Sequence, residues 1–424
     1  MHGVLEMCDH SLGNGAGRVH IALRKGQQGF SLLELIIVMF VFLIVIGITM
    51  NSFDLIVKQF SLQSRNVESN IAGVLGLEMM RGNLDSAGYG VPFTLVPYNN
   101  EAVNAPYSVY NEAAPTTSVP RSLVSGNNVV SADNTVQLTG TDYLVVKSTA
   151  VGTTTAAQRW TYMSYLTAPK VWSSANLAPG DFVVGNKYSV NMDRSSNFKR
   201  ADIGATNTIG SQGDKATKTS GLEAGGSGIA RFDAQMSDPS IFAPIDEGET
   251  SILYGVTTDS ALASLRMPFN RADFYVRRPA VAEWGARLPD RCAPNTGILY
   301  KAIISQKDGT EQPEMPLLDC IADMQVVYTL AGGETDTLGA LTATQIRTQL
   351  KAVSVYVLTH EGRRDPNFTY PNGTIGVGPG NGIVSGTGST FDLAARIGAG
   401  WQNYRWKVYH MTIRPQNLIT DSQI

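Results

Sequence analysis

The chain has 424 residues, more than one average domain, although a large β-rich domain can reach this size alone. Charged residues make up only 16% of it, against roughly 25% in ordinary soluble chains, and 42 glycines indicate many turns and loops. The formal net charge of -3 is too small to indicate a polyanionic partner, so nucleic acid is not expected as a ligand.

Residues 1–29 show no apolar periodicity, and we interpret them as a leader. They carry the basic residues Arg24 and Lys25 and end on Gly29. In an ordinary secretory signal, the small-residue cleavage site follows the apolar core. Here Gly29 precedes it, so cleavage at this point would leave the apolar segment on the mature chain. Arg24 and Lys25 favour a cytoplasmic N-terminus, with the C-terminal bulk across the membrane.

Residues 30–53 form an apolar run with one charged residue, Glu34, and are long enough to cross a bilayer as a helix. No proline occurs before Pro92, so the helix is predicted to continue. Residues 54–90 are predicted to be its amphipathic half, ending at a Gly- and Pro-rich stop. Apolar residues at helical spacing define the expected packing stripe: Phe53, Ile56, Phe60, Val67, Ile71, Val74 and Leu75.

Glu34 calls for a partner, because a carboxylate within a membrane helix costs on the order of 3 kcal/mol. Cleavage between Gly29 and Phe30 would place a new α-amino group one helical turn from Glu34. That cation could pair with Glu34 of its own or of a neighbouring subunit. The alternative is a carboxylate near the membrane interface that reaches water.

Residues 91–424 show the short periodicity of strands, and we predict a β-rich globular region. Strands are expected at 143–147, 159–165, 181–184, 251–256, 272–276, 297–305, 324–330, 352–359 and 406–413. Residues 135–138 are predicted to form a hairpin with 143–147, and 341–350 a short helix. The Gly-rich segments 201–229 and 371–389 are predicted to be loops. The fold class is therefore α+β, with a long N-terminal helix packed on an antiparallel β-rich region.

Two cysteines, Cys292 and Cys320, remain after the leader, and an even pair in an exported chain predicts one disulfide. Two reduced buried thiols are the alternative. No CxxC spacing is present, so neither a metal site nor a cofactor is expected. Only His360 and His410 follow the leader, and no nucleophile motif accompanies them, so we do not expect an enzyme.

Residues 29–34 (Gly-Phe-Ser-Leu-Leu-Glu), followed by the apolar run, resemble the class III signal of type IV pilins and type II secretion pseudopilins. The resemblance implies that a membrane prepilin peptidase cuts after Gly29 and methylates the new N-terminus of Phe30. It also implies that Glu34 pairs with the N-terminus of a neighbouring subunit during filament assembly.

Four looser blocks, at 77–90, 316–328, 351–358 and 406–417, are similar to the conserved stretches of PilW-type minor pilins. This likeness implies a low-abundance subunit of the fimbrium that acts in assembly initiation or the tip complex, and hence in twitching motility. Its implied partners are other minor and major pilins, the prepilin peptidase and the inner-membrane assembly platform. It would reside in the inner membrane before assembly and in the extracellular pilus afterwards.

Two alternatives remain open. The first is a J-type minor pseudopilin of type II secretion, because the 316–328 block is shared with that group. The second is a tip subunit for cell adhesion or DNA uptake, with the arginine pairs at 277–278 and 363–364 as contacts. We expect those arginines instead to be solvated or to form salt bridges.

Overall fold

The computed structural model describes residues 31–92, 98, 100–114, 118–178, 181–189, 199–202, 229–231, 249–258, 262, 265–280, 288–382 and 387–418. The chain divides into two compact units, Met1–Ser61 and Leu62–Ile424. An N-terminal helix, α1 (Leu32–Asp85), begins in the first unit and ends in the second. The second unit is rich in antiparallel strands, and the predicted α+β fold class is confirmed.

Fifteen strands and two further helices follow in the described part of the chain. In chain order they are β1 (Leu123–Gly126), β2 (Tyr143–Ser148), β3 (Trp160–Ser164), β4 (Phe182–Ser189), β5 (Lys199–Asp202), β6 (Ile229–Arg231), β7 (Glu249–Thr257), β8 (Asn270–Arg277), β9 (Gly297–Ile303), β10 (Met315–Leu330), β11 (Gly333–Thr335), α2 (Ala343–Gln349), β12 (Leu350–Glu361), β13 (Thr374–Val377), β14 (Ser389–Asp392), α3 (Leu393–Ile397) and β15 (Arg405–Ile413).

The strands form three antiparallel sheets. The central sheet has eight strands in the order β1-β2-β8-β9-β10-β12-β15, and β11 pairs with the end of β10. A second sheet runs β3-β7-β4-β5 with β6 beside β4, and β13 and β14 form a separate hairpin. Most ladders of the central sheet join strands that are consecutive in the chain, whereas β2 and β8 pair although all strands of the second sheet lie between them in sequence.

The predicted hairpin of residues 135–138 with 143–147 is wrong. Residues 134–136 form a turn in which Asp133 Oδ1 accepts the Thr135 N–H at 2.8 Å and Asn134 Oδ1 accepts the Thr139 N–H at 3.0 Å. Such side-chain acceptors close a turn locally and compete with strand pairing. Strand β2 pairs with β1 and β8 instead.

The loop predictions need correction too. Segment 371–389 contains β13 and the first residue of β14, which pair along four residues. At the two ends of 201–229, the structure places the end of β5 and the start of β6, which each pair with β4. Residues 203–228 lie outside the described residues.

Most of the central sheet is buried on both faces, whereas the edge strand β15 is partly exposed. On β12, Val353, Val355 and Val357 belong to the core that also contains Met80 and Leu84 of α1. The alternate residues of the same strand, including Tyr356 and Leu358, belong to a second core with residues of the β13–β14 hairpin and α3. A third core covers the β2–β8–β9 end of that outer face under segment 98–114.

Glycines of α1 set how closely the helix approaches the sheet. A Cβ added at Gly76 would lie 1.9 Å from the carbonyl oxygen of Leu317, and one at Gly73 would lie 2.6 Å from Leu318 Cδ1. Of the predicted stripe, Phe53, Ile56, Val74 and Leu75 are exposed instead, and the side chains of Phe60, Val67 and Ile71 lie outside the described part of the chain. The stripe was therefore wrong at four positions. At Val74 and Leu75, backbone contact through the neighbouring glycines takes the place of apolar side chains.

We expect Gly76→Ala to destabilise the protein, because the clash is with backbone and over-packing costs about 1–3 kcal/mol. The matched control is Gly82→Ala in the same helix. A Cβ there meets nothing within 4 Å, so the higher helix propensity of alanine should raise stability by about 1 kcal/mol. Thermal unfolding of the detergent-solubilised chain measures both. Equal shifts of the two variants would contradict the close contact.

Candidate functional site

The start of α1 holds Glu34, the one residue of the predicted processing and assembly site that the structure describes. The Leu35 N–H donates to the Ser31 carbonyl at 3.1 Å, so the helix begins directly after Ser31. Glu34 lies in the first turn and is exposed. Arg24, Lys25, Gly29 and Phe30 lie outside the described residues.

The segment Leu32–Phe53 of α1 is long and apolar enough to cross a membrane, with a mean hydropathy of 3.0 and none of its residues buried. Its large apolar side chains range from 39% exposed at Ile46 to 76% at Leu32. So large an unbroken apolar surface is not stable in water and requires lipid or neighbouring protein.

Two hydroxyl side chains in this segment are satisfied within the helix. Thr49 Oγ1 donates to the Val45 carbonyl at 2.7 Å, and Ser52 Oγ donates to the Ile48 carbonyl at 3.0 Å. Because these donors are already used, neither residue opposes burial in an apolar medium. Glu34 is thus the one charged side chain between Leu32 and Phe53.

A comparison with protein families finds a match at this end of the chain. Residues 24–50 match the prokaryotic N-terminal methylation motif. The match begins at the basic pair and ends inside the apolar part of α1, so it includes the basic pair, the predicted cleavage site and Glu34. It covers a small part of the chain, and residues 51–424 lie outside it.

The other comparisons add little. No curated protein matches the chain. Among solved structures, a type IV-like pilin TTHA1219 from Thermus thermophilus is similar over 35% of this chain and 80% of its own, at 12% identity. The TM-score of that alignment is 0.19, and we draw no conclusion from it.

The structure pairs Cys292 with Cys320 in a disulfide that joins the segment before β9 to β10. Asp319 lies beside it, and these three residues are the one group of potential metal ligands found among the described residues. The disulfide consumes both thiolates, so the group does not offer a metal site.

Nearby, His360 Nε2 accepts the Ala293 N–H at 2.8 Å, and burial lowers the pKa of His360 to about 3, which keeps it neutral.

A buried ionic cluster, which the sequence reading missed, ties segment 100–114 to the central sheet. Glu101 contacts Lys147 Nζ at 2.5 Å and Arg271 Nη1 at 2.8 Å, and all three side chains are fully buried. Arg271 also binds Asp273 at 2.6 Å, and Lys147 binds Glu112 at 2.9 Å. The sequence signal that could have revealed it is that Lys147 follows the apolar run 143–146 of β2, and that Arg271 and Asp273 alternate on β8. Every charge has an opposite partner, which is the arrangement expected of structural pairs.

In the arginine pairs at 277–278 and 363–364, three of the four side chains have a hydrogen-bond or ion-pair partner in the described part of the chain. Arg277 forms an ion pair with Glu314 and is 9% exposed, and Arg278 Nε donates to the Thr296 carbonyl at 3.2 Å. Arg364 Nη2 donates to Asn403 Oδ1 at 3.1 Å. Arg277 is therefore a poor contact for phosphate, because binding would break a half-buried pair.

The carboxylate of Asp142, just before β2, joins the loop after β1 to strand β10. Oδ1 accepts the Asn128 N–H at 2.8 Å and Oδ2 accepts the Val326 N–H at 2.7 Å. The residue is 2% exposed, and burial raises the pKa of its carboxyl to about 8 despite these two donors. An Asp in an unfolded chain has a pKa of about 3.9. The folded protein therefore holds a proton that the unfolded chain releases.

This difference sets a pH dependence. The contribution of Asp142 to stability is fully present below pH ~4 and is lost as the pH rises through about 8. We expect Asp142→Asn to gain in thermal midpoint relative to the wild type as the pH rises from about 5 to about 8. Asp133→Asn is the control, because Asp133 is exposed and hydrogen bonds from Thr135 lower its pKa. A constant offset between Asp142→Asn and the wild type would contradict the expectation.

Proposed function

We propose that this chain is a minor type IV pilin, PilW-like, that acts in pilus assembly initiation or the tip complex. The observation that carries the proposal is the N-terminal methylation motif at residues 24–50, running into the exposed apolar segment Leu32–Phe53, whose one charged residue is Glu34. The looser sequence blocks at 77–90, 316–328, 351–358 and 406–417 support the PilW-like assignment.

In the proposed mechanism, the prepilin peptidase cuts between Gly29 and Phe30 and methylates Phe30. Leu32–Phe53 then anchors the subunit in the inner membrane, with the β-rich unit outside the cytoplasm. On assembly, the same apolar surface moves from lipid to the core of the filament, an exchange between two apolar surroundings. This transfer needs little change in solvation, which suits a reversible filament.

Glu34 supplies the specificity of that transfer. In a low-dielectric core, an unpaired carboxylate is costly and an opposite charge is strongly favoured. The methylated α-amino group of a neighbouring subunit would supply that charge. Glu34 is exposed in the first turn of α1, so no rearrangement of the helix is needed for it to reach a neighbour.

The size of the β-rich region supports a tip or initiation role. Residues 30–424 would remain after cleavage, a large subunit whose described part contains three sheets. Such bulk fits a component present in few copies better than a repeated shaft subunit. The proposed location predicts labelling at filament ends, and immunogold labelling along the whole shaft would contradict it.

A J-type minor pseudopilin is the second candidate, because the 316–328 block is shared with that group. Deletion of the gene separates the two. Loss of twitching with normal secretion supports the pilus subunit, and loss of secretion with normal pili supports the pseudopilin.

Mass spectrometry of the membrane-extracted protein tests the processing step. We expect an N-terminal peptide that begins at N-methylated Phe30, because the motif directs both reactions to this residue. Mature material that still begins at Met1 would overturn the pilin proposal. Gly29→Leu should block cleavage and leave the leader attached.

Substitution of the carboxylate tests assembly apart from processing. Glu34→Gln should be cleaved normally but enter sheared filaments at least about tenfold less, since an ion pair in an apolar core exceeds the roughly 1.4 kcal/mol that a tenfold change requires. Glu78→Gln is the control, because Glu78 is an exposed carboxylate of the same helix whose neighbour is Arg81, at 3.8 Å. Equal incorporation of both variants would remove the role given to Glu34.

A further inference from the structure

The outer face of the central sheet carries a cleft that neither the methylation motif nor pilus assembly explains. It lies over β12 and β15, on the face opposite to α1, beside the β13–β14 hairpin. Its volume is about 540 Å³, within the range of small-molecule sites. Six side chains carry the chemistry of its lining: Tyr356, Tyr370, Asn372, Thr374, Thr390 and His410.

Aromatic rings form one part of the lining. Tyr356 and His410 are paired residues on β12 and β15, and their rings stack in parallel, 4.3 Å apart with an interplanar angle of 3°. His410 Nε2 lies 3.0 Å from Thr412 Oγ1, which fixes the imidazole against the sheet. Tyr370 is half-buried, and its N–H donates to the Gln402 carbonyl at 2.7 Å. These three aromatic residues are therefore held in place by the sheet and by the neighbouring loop before any ligand binds.

Neutral polar groups form the other part. Asn372, Thr374 and Thr390 are exposed, and their side chains have no hydrogen-bond partner in the described part of the chain. An asparagine amide offers both a donor and an acceptor, and each threonine hydroxyl offers both as well. No side chain in the lining is an acid, a lysine or an arginine.

Glycine supplies much of the remaining wall. Gly376, Gly378 and Gly380 line the cleft, so backbone rather than side chains bounds it there. Gly380 has a φ of +59°, in the left-handed region that glycine adopts without strain. The open volume thus follows from the Gly-rich sequence of this hairpin.

We propose that this cleft binds a neutral saccharide of two or three sugar units. A pyranose ring presents an apolar C–H face, which stacks on aromatic rings, and an edge of hydroxyls, which pair with amide and hydroxyl groups. The cleft combines both kinds of surface, and its lining has no acid, lysine or arginine to attract an ionic ligand. A proline-rich peptide would also stack on tyrosine, but the unpartnered amide and hydroxyls favour a ligand rich in hydroxyls.

Saturation-transfer NMR and calorimetry on the full chain test this site. The chain should be held in nanodiscs, since a glycoside detergent could itself occupy the cleft. The probes are cellobiose, maltotriose, N-acetyllactosamine and di-N-acetylchitobiose, with a polyproline decamer as the peptide probe. We expect at least one saccharide to bind at millimolar concentration or below.

Variants locate the binding. Tyr370→Ala and Asn372→Ala should each weaken it at least about tenfold, the loss of one ring face or of one amide hydrogen-bond pair. The controls are Asn367→Ala, an exposed amide on the same loop, and Trp160→Ala, an aromatic residue 39% exposed on the second sheet. Both controls should bind as the wild type does. Because Asn372 is exposed, its variant should fold normally even if Tyr370→Ala does not.

Three results would overturn the proposal. One is that no saccharide of the panel binds at millimolar concentration. Another is that binding survives unchanged in Asn372→Ala with a normal unfolding midpoint. The last is that the polyproline peptide binds in the cleft and the saccharides do not. None of these results bears on N-methylation of Phe30 or on the incorporation of Glu34→Gln, so the pilin proposal is tested separately.

Discussion

The close approach of α1 to β10 is the contact on which the β-rich unit depends. Gly73 and Gly76 bring the helix backbone against Leu317 and Leu318, and Met80 and Leu84 then fill the core one and two turns later. Those two side chains share one core with inner-face residues of the central sheet such as Val353 and Val355. Two parts of one helix therefore differ in their surroundings. The apolar side chains of Leu32–Phe53 are exposed, while the C-terminal turns of α1 pack in the core of the β-rich unit.

The sequence predicted the apolar start of α1 and the β-rich region better than the contact between the helix and the sheet. The apolar run from Leu32 and the antiparallel β-rich region were both expected, because composition and periodicity are strong in each. The packing stripe at Val74 and Leu75 was wrong, since a hydrophobic pattern scores glycine as a gap rather than as a contact. The hairpin at 135–138 failed for another reason: β2 pairs with the preceding strand β1 and with β8, which is distant in sequence, and the local pattern does not predict the pairing with β8.

The candidate sites differ in how much of each could be predicted from the sequence. The motif at residues 24–50 is local, so its cleavage and assembly residues are readable without a fold. The cleft over β12 and β15 is assembled from segments that are unremarkable alone. Tyr356 and His410 stack only because β12 and β15 pair, and segment 371–389 was expected to be a loop. The buried ionic cluster is equally hard to predict, because Glu101 comes into contact with Lys147 and Arg271 only in the folded chain.

That cluster also constrains the order of folding. Glu101 precedes both of its cationic partners in the chain, and Arg271 comes beside Lys147 only when β8 pairs with β2. Until then, segment 100–114 has no complete set of opposite charges, and burying Glu101 would leave it inadequately compensated. Closure of this face must therefore follow the long-range pairing of β2 and β8, which is slow because a long loop has to close first. Segment 100–114, although it lies early in the chain, can thus reach its final contacts only after the chain has been made at least as far as β8.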